Sequence, residues 1–196
     1  MRRRIGALLY AVGGLLILHT GATYARGALA RSDARAEWER AEARRAVQQA
    51  RLLDLDAEPV LVRRGAPIAR LVIPGIGLDE VVVEGVGDDE LNAGPGHLPG
   101  SAIPGERGNA VISAHRDRHF STLGGLHVGD TVHTETMAGR ASWIVTTRRV
   151  VRAGAPALYS SDQPKLTLTT CWPLGYFGSA PERLIIEAGL LSPNED

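Results

Sequence analysis

Residues 165–186, KLTLTTCWPLGYFGSAPERLII, set the frame for the whole chain. From Lys165 to Thr170 leucine alternates with threonine, a period of two that suits an extended strand with one face in a core. Pro173 has no N–H to give to a ladder, so the strand is expected to stop near Cys171. Gly175, Gly178 and Pro181 mark a loop, and Arg183-Leu-Ile-Ile begins a second extended run. The only cysteine of the chain and Arg183 are thereby expected at neighbouring ends of two strands. A reactive thiolate needs a positive neighbour and access, and this placement offers both; a buried cysteine acting as a small hydrophobe needs neither.

Working outward, Ile68–Ile73 and Val81–Glu84 read as short strands broken by Pro74-Gly75 and by Gly85 to Gly87. Residues 91–108 are crowded with Gly and Pro and read as an irregular surface connection. Asn109–Ala114 reads as a buried strand ending at His115. Phe120, Leu123 and Leu126 have helical spacing, so one or two helical turns are expected over 118–126. Thr131–Thr136 and Ser142–Val151 alternate as two further strands. Short strands with close turn signals point to an all-β barrel or sandwich with little helix.

The chain of 196 residues has 22 basic and 22 acidic residues. This neutral balance, without a basic stripe, argues against a nucleic-acid partner. One cysteine excludes an internal disulfide, an all-cysteine zinc site and dithiol chemistry. Arg2, Arg3 and Arg4 precede an apolar run from Ile5 to about Tyr24, near the roughly 20 residues of a membrane span. Residues 1–24 are therefore expected to be a retained single-pass anchor in the cytoplasmic membrane, with the N-terminus inside and the remainder outside the cytoplasm. Residues 25–65 read as a helical stalk, rich in Ala, Arg and Glu, polar nearly all round, solvated or leaning on membrane or domain. The domain is expected at 66–191, followed by a tail at 192–196.

His115 is favoured among the histidines by its place at a strand end; His97, His127 and His133 suit loop or surface roles. His119 is its rival, because on a helical turn the two share a face. TLTTC (167–171) with Arg183 downstream, GNAVISAHRD (108–117) and GPGHLPGSAIPGERGN (94–109) upstream, and APERLIIEA (180–188) resemble the sortase family of membrane-anchored cysteine transpeptidases, class D above all. The resemblance covers about residues 66–190. It implies an eight-stranded β-barrel, Cys171 as nucleophile, His115 as general acid and base, and Arg183 as stabiliser of the oxyanion or positioner of substrate. Thr170 would shape the oxyanion site, and Trp172 with other apolar loop residues would line the peptide groove. The implied substrate is a secreted or surface protein bearing an LPxTG-like sorting motif, cleaved through a thioacyl enzyme and passed to an amine of the cell envelope or of another protein. No cofactor and no metal is expected, although acidic residues cluster at 79–80 and 88–90. Two other readings compete: a metal site of His115 and His119 with Cys171 or Asp117, and an anchored envelope protein without catalysis.

Overall fold

The computed structural model describes residues 2–49, 63–154, 161–176 and 178–191. One long helix, α1 (Arg2–Gln49), precedes a barrel of eight strands. The strands are β1 (Pro67–Ile73), β2 (Leu78–Glu84), β3 (Gly96–His97), β4 (Asn109–Ala114), β5 (Thr131–Thr136), β6 (Arg140–Arg152), β7 (Lys165–Trp172) and β8 (Glu182–Leu190), with a short helix α2 (Asp88–Ala93) between β2 and β3. Around the barrel the order is β1-β2-β3-β4-β7-β8-β6-β5, closed by β5 on β1. Closure removes the exposed edges that an open sheet of this kind would leave for aggregation.

Alternation along each strand sorts the side chains. Leu166, Leu168, Leu184, Ile186, Ala110 and Ile112 point inward, where they meet Leu71, Ile73, Val132 and Trp143. Burying each Leu, Ile or Val fully contributes about 1.5–3 kcal/mol. Trp143 enters this core with its Nε1–H donated to Thr134 Oγ1 at 2.8 Å, so its one polar atom is not left unpaired. The expected strands are present, with β6 longer than expected because Arg140 and Ala141 pair with Glu135 and Thr134 of β5 at its start and Arg152 pairs with Glu182 of β8 at its end.

Two elements in the Gly/Pro-rich connection were not anticipated. The six residues of α2 and the two of β3 are too short to show a period. β3 pairs between β2 and β4, and Gly96 permits it: a Cβ there would meet the carbonyl oxygen of Gly85. The helical turns expected over 118–126 contract to a 3-10 turn at Leu123–Gly125, while Phe120, Leu123 and Leu126 are fully buried as their spacing implies.

The residues expected to form anchor and stalk run as one continuous helix. Among the described residues no helix is long and apolar enough to cross a membrane; of the expected span, the side chains of residues 5–9 and 11 lie outside the described set. The stalk's residues 50–62 and the tail at 192–196 also lie outside it. α1 does not stand off from the barrel. Ala34 and Trp38 are buried against Val81 and Val83 of β2.

Candidate active site

Register decides which side chains meet. β7 and β8 are antiparallel with Cys171 directly opposite Arg183. Directly opposed residues point to the same face, with Cβ atoms about 4.5–5.5 Å apart. Leu168, Thr170, Leu184 and Ile186 are buried in the core, so Cys171 and Arg183, one position out of phase, lie together on the outer face. β4 runs parallel to β7 on its other side, with Ala114 beside Thr170. The next residue on each strand is His115 and Cys171, so both emerge at the same end of the barrel. His115, Cys171 and Arg183 line one cleft of about 340 Å³ with Arg116, Asp117 and the loop residues Gly178, Ser179 and Ala180.

Cys171 is a free cysteine, partly exposed. His115 is about half-buried, and loss of hydration pushes its pKa below the usual imidazole value; Asp117 and Asp88 oppose this shift while Arg118 and His119 add to it. Arg183 donates Nη1–H to the carbonyls of Glu182 (2.9 Å) and Ala180 (3.3 Å), which fixes the guanidinium against its own loop.

The remaining expected residues hold the frame rather than line the cleft. Thr170 is buried and donates its hydroxyl to the carbonyl of Ala114 at 2.7 Å, tying β7 to the last residue before His115. Trp172 packs against the core, with the Arg148 guanidinium 5.5 Å from its ring. Arg116 was not singled out by its sequence context. It donates to the carbonyls of Tyr176 (2.6 Å) and Gly178 (2.7 Å), and so fastens the loop after the cysteine to the residue after the histidine. Its position next to His115 in HRD was the one available signal.

His119, the rival histidine, is turned away from this cleft. It is buried, with Nδ1 3.1 Å from Arg31 Nη2 and 3.4 Å from Glu80 Oε1. Among the described residues no group of three or more His, Cys, Asp or Glu side chains is placed to hold a metal ion. His97 supports a loop: its ring nitrogens meet Glu84 Oε2 at 2.6 Å and the Ala102 carbonyl at 2.9 Å.

A thiol, an imidazole and a guanidinium at one strand end match a family with that chemistry. The sequence model of the Sortase domain matches residues 71–191, more than half of the chain. The chain belongs to the sortase family. Sortase D of Bacillus subtilis (strain 168) is 36% identical over 118 residues, which are 59% of this chain and 60% of that protein. The chain thus spans about 60% of the length of this curated relative. Among solved structures, the catalytic domain of B. anthracis sortase D is 31% identical at a TM-score of 0.57, covering 70% of this chain and 95% of that one. A Clostridium perfringens sortase C, solved with the C-terminal cell wall sorting motif, is 26% identical at 0.60, covering 67% and 74%. A sortase D5 transpeptidase of Clostridium perfringens shares the fold over 86% of this chain and 99% of its own, at a TM-score of 0.65 and 23% identity. These relatives make the sortase barrel described above most like class D, in a family of cysteine transpeptidases.

Proposed function

We propose that the chain is a sortase-type cysteine transpeptidase whose catalytic groups are Cys171, His115 and Arg183. The observation that carries this reading is the register that sets Cys171 opposite Arg183 while parallel β4 delivers His115 to the same cleft.

The substrate in this reading is a protein with an LPxTG-like sorting motif; a motif-bearing substrate is supported by the sortase C structure solved with a C-terminal cell wall sorting motif. The Cys171 thiolate attacks the carbonyl carbon of the cleaved peptide bond, forming a C–S bond and a tetrahedral oxyanion. Arg183 stabilises this oxyanion; among the described residues only its Nη1 has protein partners, which leaves Nε and Nη2 for substrate. The C–N bond then breaks, and imidazolium His115 gives its proton to the departing amine. The thioacyl enzyme that remains is attacked by an acceptor amine. Neutral His115 takes the amine's proton, a new amide forms and the thiolate leaves. The lowered pKa of His115 favours this second role at neutral pH.

The acceptor is an amine of the cell envelope or of another protein. The domain works outside the cytoplasm, held by residues 1–24 as a single-pass anchor. This placement is supported by Arg2–Arg4 before the apolar run and by Leu15, Leu16, Ile17 and Leu18, whose side chains are 60–74% exposed on α1 with no protein covering them. Trapping a thioacyl adduct on Cys171 from membranes, and identifying the attached peptide by mass, tests the reading. An adduct ending in the motif's threonine supports it. Full transfer activity in Cys171→Ala would refute it.

A further inference from the structure

The turn that carries His115 is held from outside the barrel. Beyond Ala114 the chain folds back so that the N–H groups of Arg118 and Phe120 both reach the carbonyl of His115, at 3.3 and 3.1 Å. The three residues that close this turn are each secured by a different neighbour. Phe120 is sunk in the core. Arg118 donates Nη1–H to Asn92 Oδ1 of α2 at 2.7 Å and lies 4.5 Å from the ring of Tyr24 on α1. His119 meets Arg31 of α1 through Nδ1 at 3.1 Å, with Glu80 of β2 beside them. A guanidinium can only donate, so in the Arg31 contact Nδ1 is the acceptor; Nε2 is buried without a partner among the described residues. Among the described residues the contact with Arg31 is the hydrogen bond this buried ring makes with α1.

The helix is shaped for this contact. Thr23, Gly27, Ala30, Ala34, Trp38 and Ala41 recur at steps of three and four residues, a single helical face, and all are at least partly buried. Gly27 is buried at this contact. A Cβ there would lie 3.0 Å from the carbonyl oxygen of Asn92 and 3.1 Å from Arg118 Nη1, so even a methyl group needs these neighbours to give way and a bulky side chain pushes α1 off the clamp that α2 and Arg118 form.

We infer that α1 is a positioning element for the catalytic step, with Tyr24, Gly27 and Arg31 setting the place of the 115–120 turn and hence of the His115 imidazole relative to Cys171. The inference rests on the thioacyl-transfer reading above. Cys171 and Arg183 have their relative place from the β7–β8 ladder and do not need α1; His115 lies past the last residue of β4, between the tie of Arg116 to the loop after Cys171 and the 115–120 turn. A displacement of about 1 Å in a reacting group can cost about 100-fold in rate.

The test uses the full chain in detergent with a fluorogenic LPxTG peptide and an amine acceptor, and follows the His115 imidazole by NMR. Gly27→Leu, Arg31→Met and Tyr24→Leu each loosen the contact by a different route, so failure of the bulky variant to fold does not end the test. The expected result is a fall in kcat of at least about tenfold with KM little changed, a shifted His115 resonance, partial recovery in Arg31→Lys, and no effect of Asp33→Ser on the exposed face of the same helix. Wild-type kcat together with an unmoved His115 signal in Arg31→Met and Tyr24→Leu would overturn the inference. If wild-type enzyme forms no thioacyl adduct, the functional reading fails instead; the His115 signal still reports whether α1 positions the ring.

Discussion

The β7–β8 rim and the 115–120 turn supply the same cleft by different means. On the rim, Cys171 and Arg183 face each other inside a ladder that pairs eight consecutive positions from Lys165–Gly189 to Trp172–Glu182. Moving either side chain off that face requires slipping the register by one residue, which would also turn Leu166, Leu168, Leu184 and Ile186 out of the core. His115 lies just beyond the end of its ladder, and its turn depends on side chains of α1, α2 and β2. Backbone pairing thus holds Cys171 and Arg183, while tertiary contacts hold His115. Substitutions on the rim should remove chemistry and leave geometry, whereas substitutions around the turn should leave every reacting group present and misplace one.

The sharpest check on the rim is Cys171→Ala, which should abolish thioacyl formation and transfer while far-UV circular dichroism stays that of the wild type. Loss of the barrel signal would mean that the thiol is a packing group. Arg183→Lys comes next: a point charge replaces the planar fork, and kcat should drop about 10²- to 10³-fold. A drop confined to KM would assign Arg183 to ground-state binding instead. At the junction of the two regions, Thr170→Val removes the hydroxyl that β7 gives to the Ala114 carbonyl. A net loss of about 1 kcal/mol in unfolding free energy is expected from denaturant titration, with a smaller effect on rate than Arg183→Lys. An unchanged midpoint would show that the two strands need no such tie.

The smallest effect expected is on proton affinity. Burial holds the His115 pKa below the ordinary imidazole value and Asp117 pulls it upward. The imidazolium, proposed above as the acid toward the leaving amine, is therefore lost as pH rises through this lowered value. Asp117→Asn removes the upward pull, so the titration followed by NMR should move to still lower pH, and the range in which the ring can act as an acid should shrink with it. A move to higher pH would show that Asp117 acts through something other than its charge.

Much of the barrel was legible because alternation is a local property. Leu166 and Leu168 between threonines declare an inner and an outer face, and the apolar run Ala110–Ile112 declares a buried strand, without reference to any partner. α2 and β3 escaped notice because six and two residues cannot display a period, and a run of Gly and Pro reads as irregular whatever it pairs with. The docked face of α1 escaped for another reason. On that face Gly27, Ala30 and Ala34 are too small to stand out by hydropathy, and the value of Gly27 lies in allowing close approach rather than in apolar area. Trp38 was visible as part of a thin apolar set; that it lies in a stripe beginning at Thr23 was not.

By itself the sequence determined the kinds of chemistry available and the order in which strands, turns and the N-terminal helix follow one another, since each depends on residues a few positions apart. Tertiary structure alone decided that residue 183 lies across from residue 171, that parallel pairing brings residue 115 alongside, and that α1 bears on the turn behind it. Those facts concern segments far apart in the chain, and only the simultaneous burial of every inward side chain in one closed barrel selects the register that makes them true.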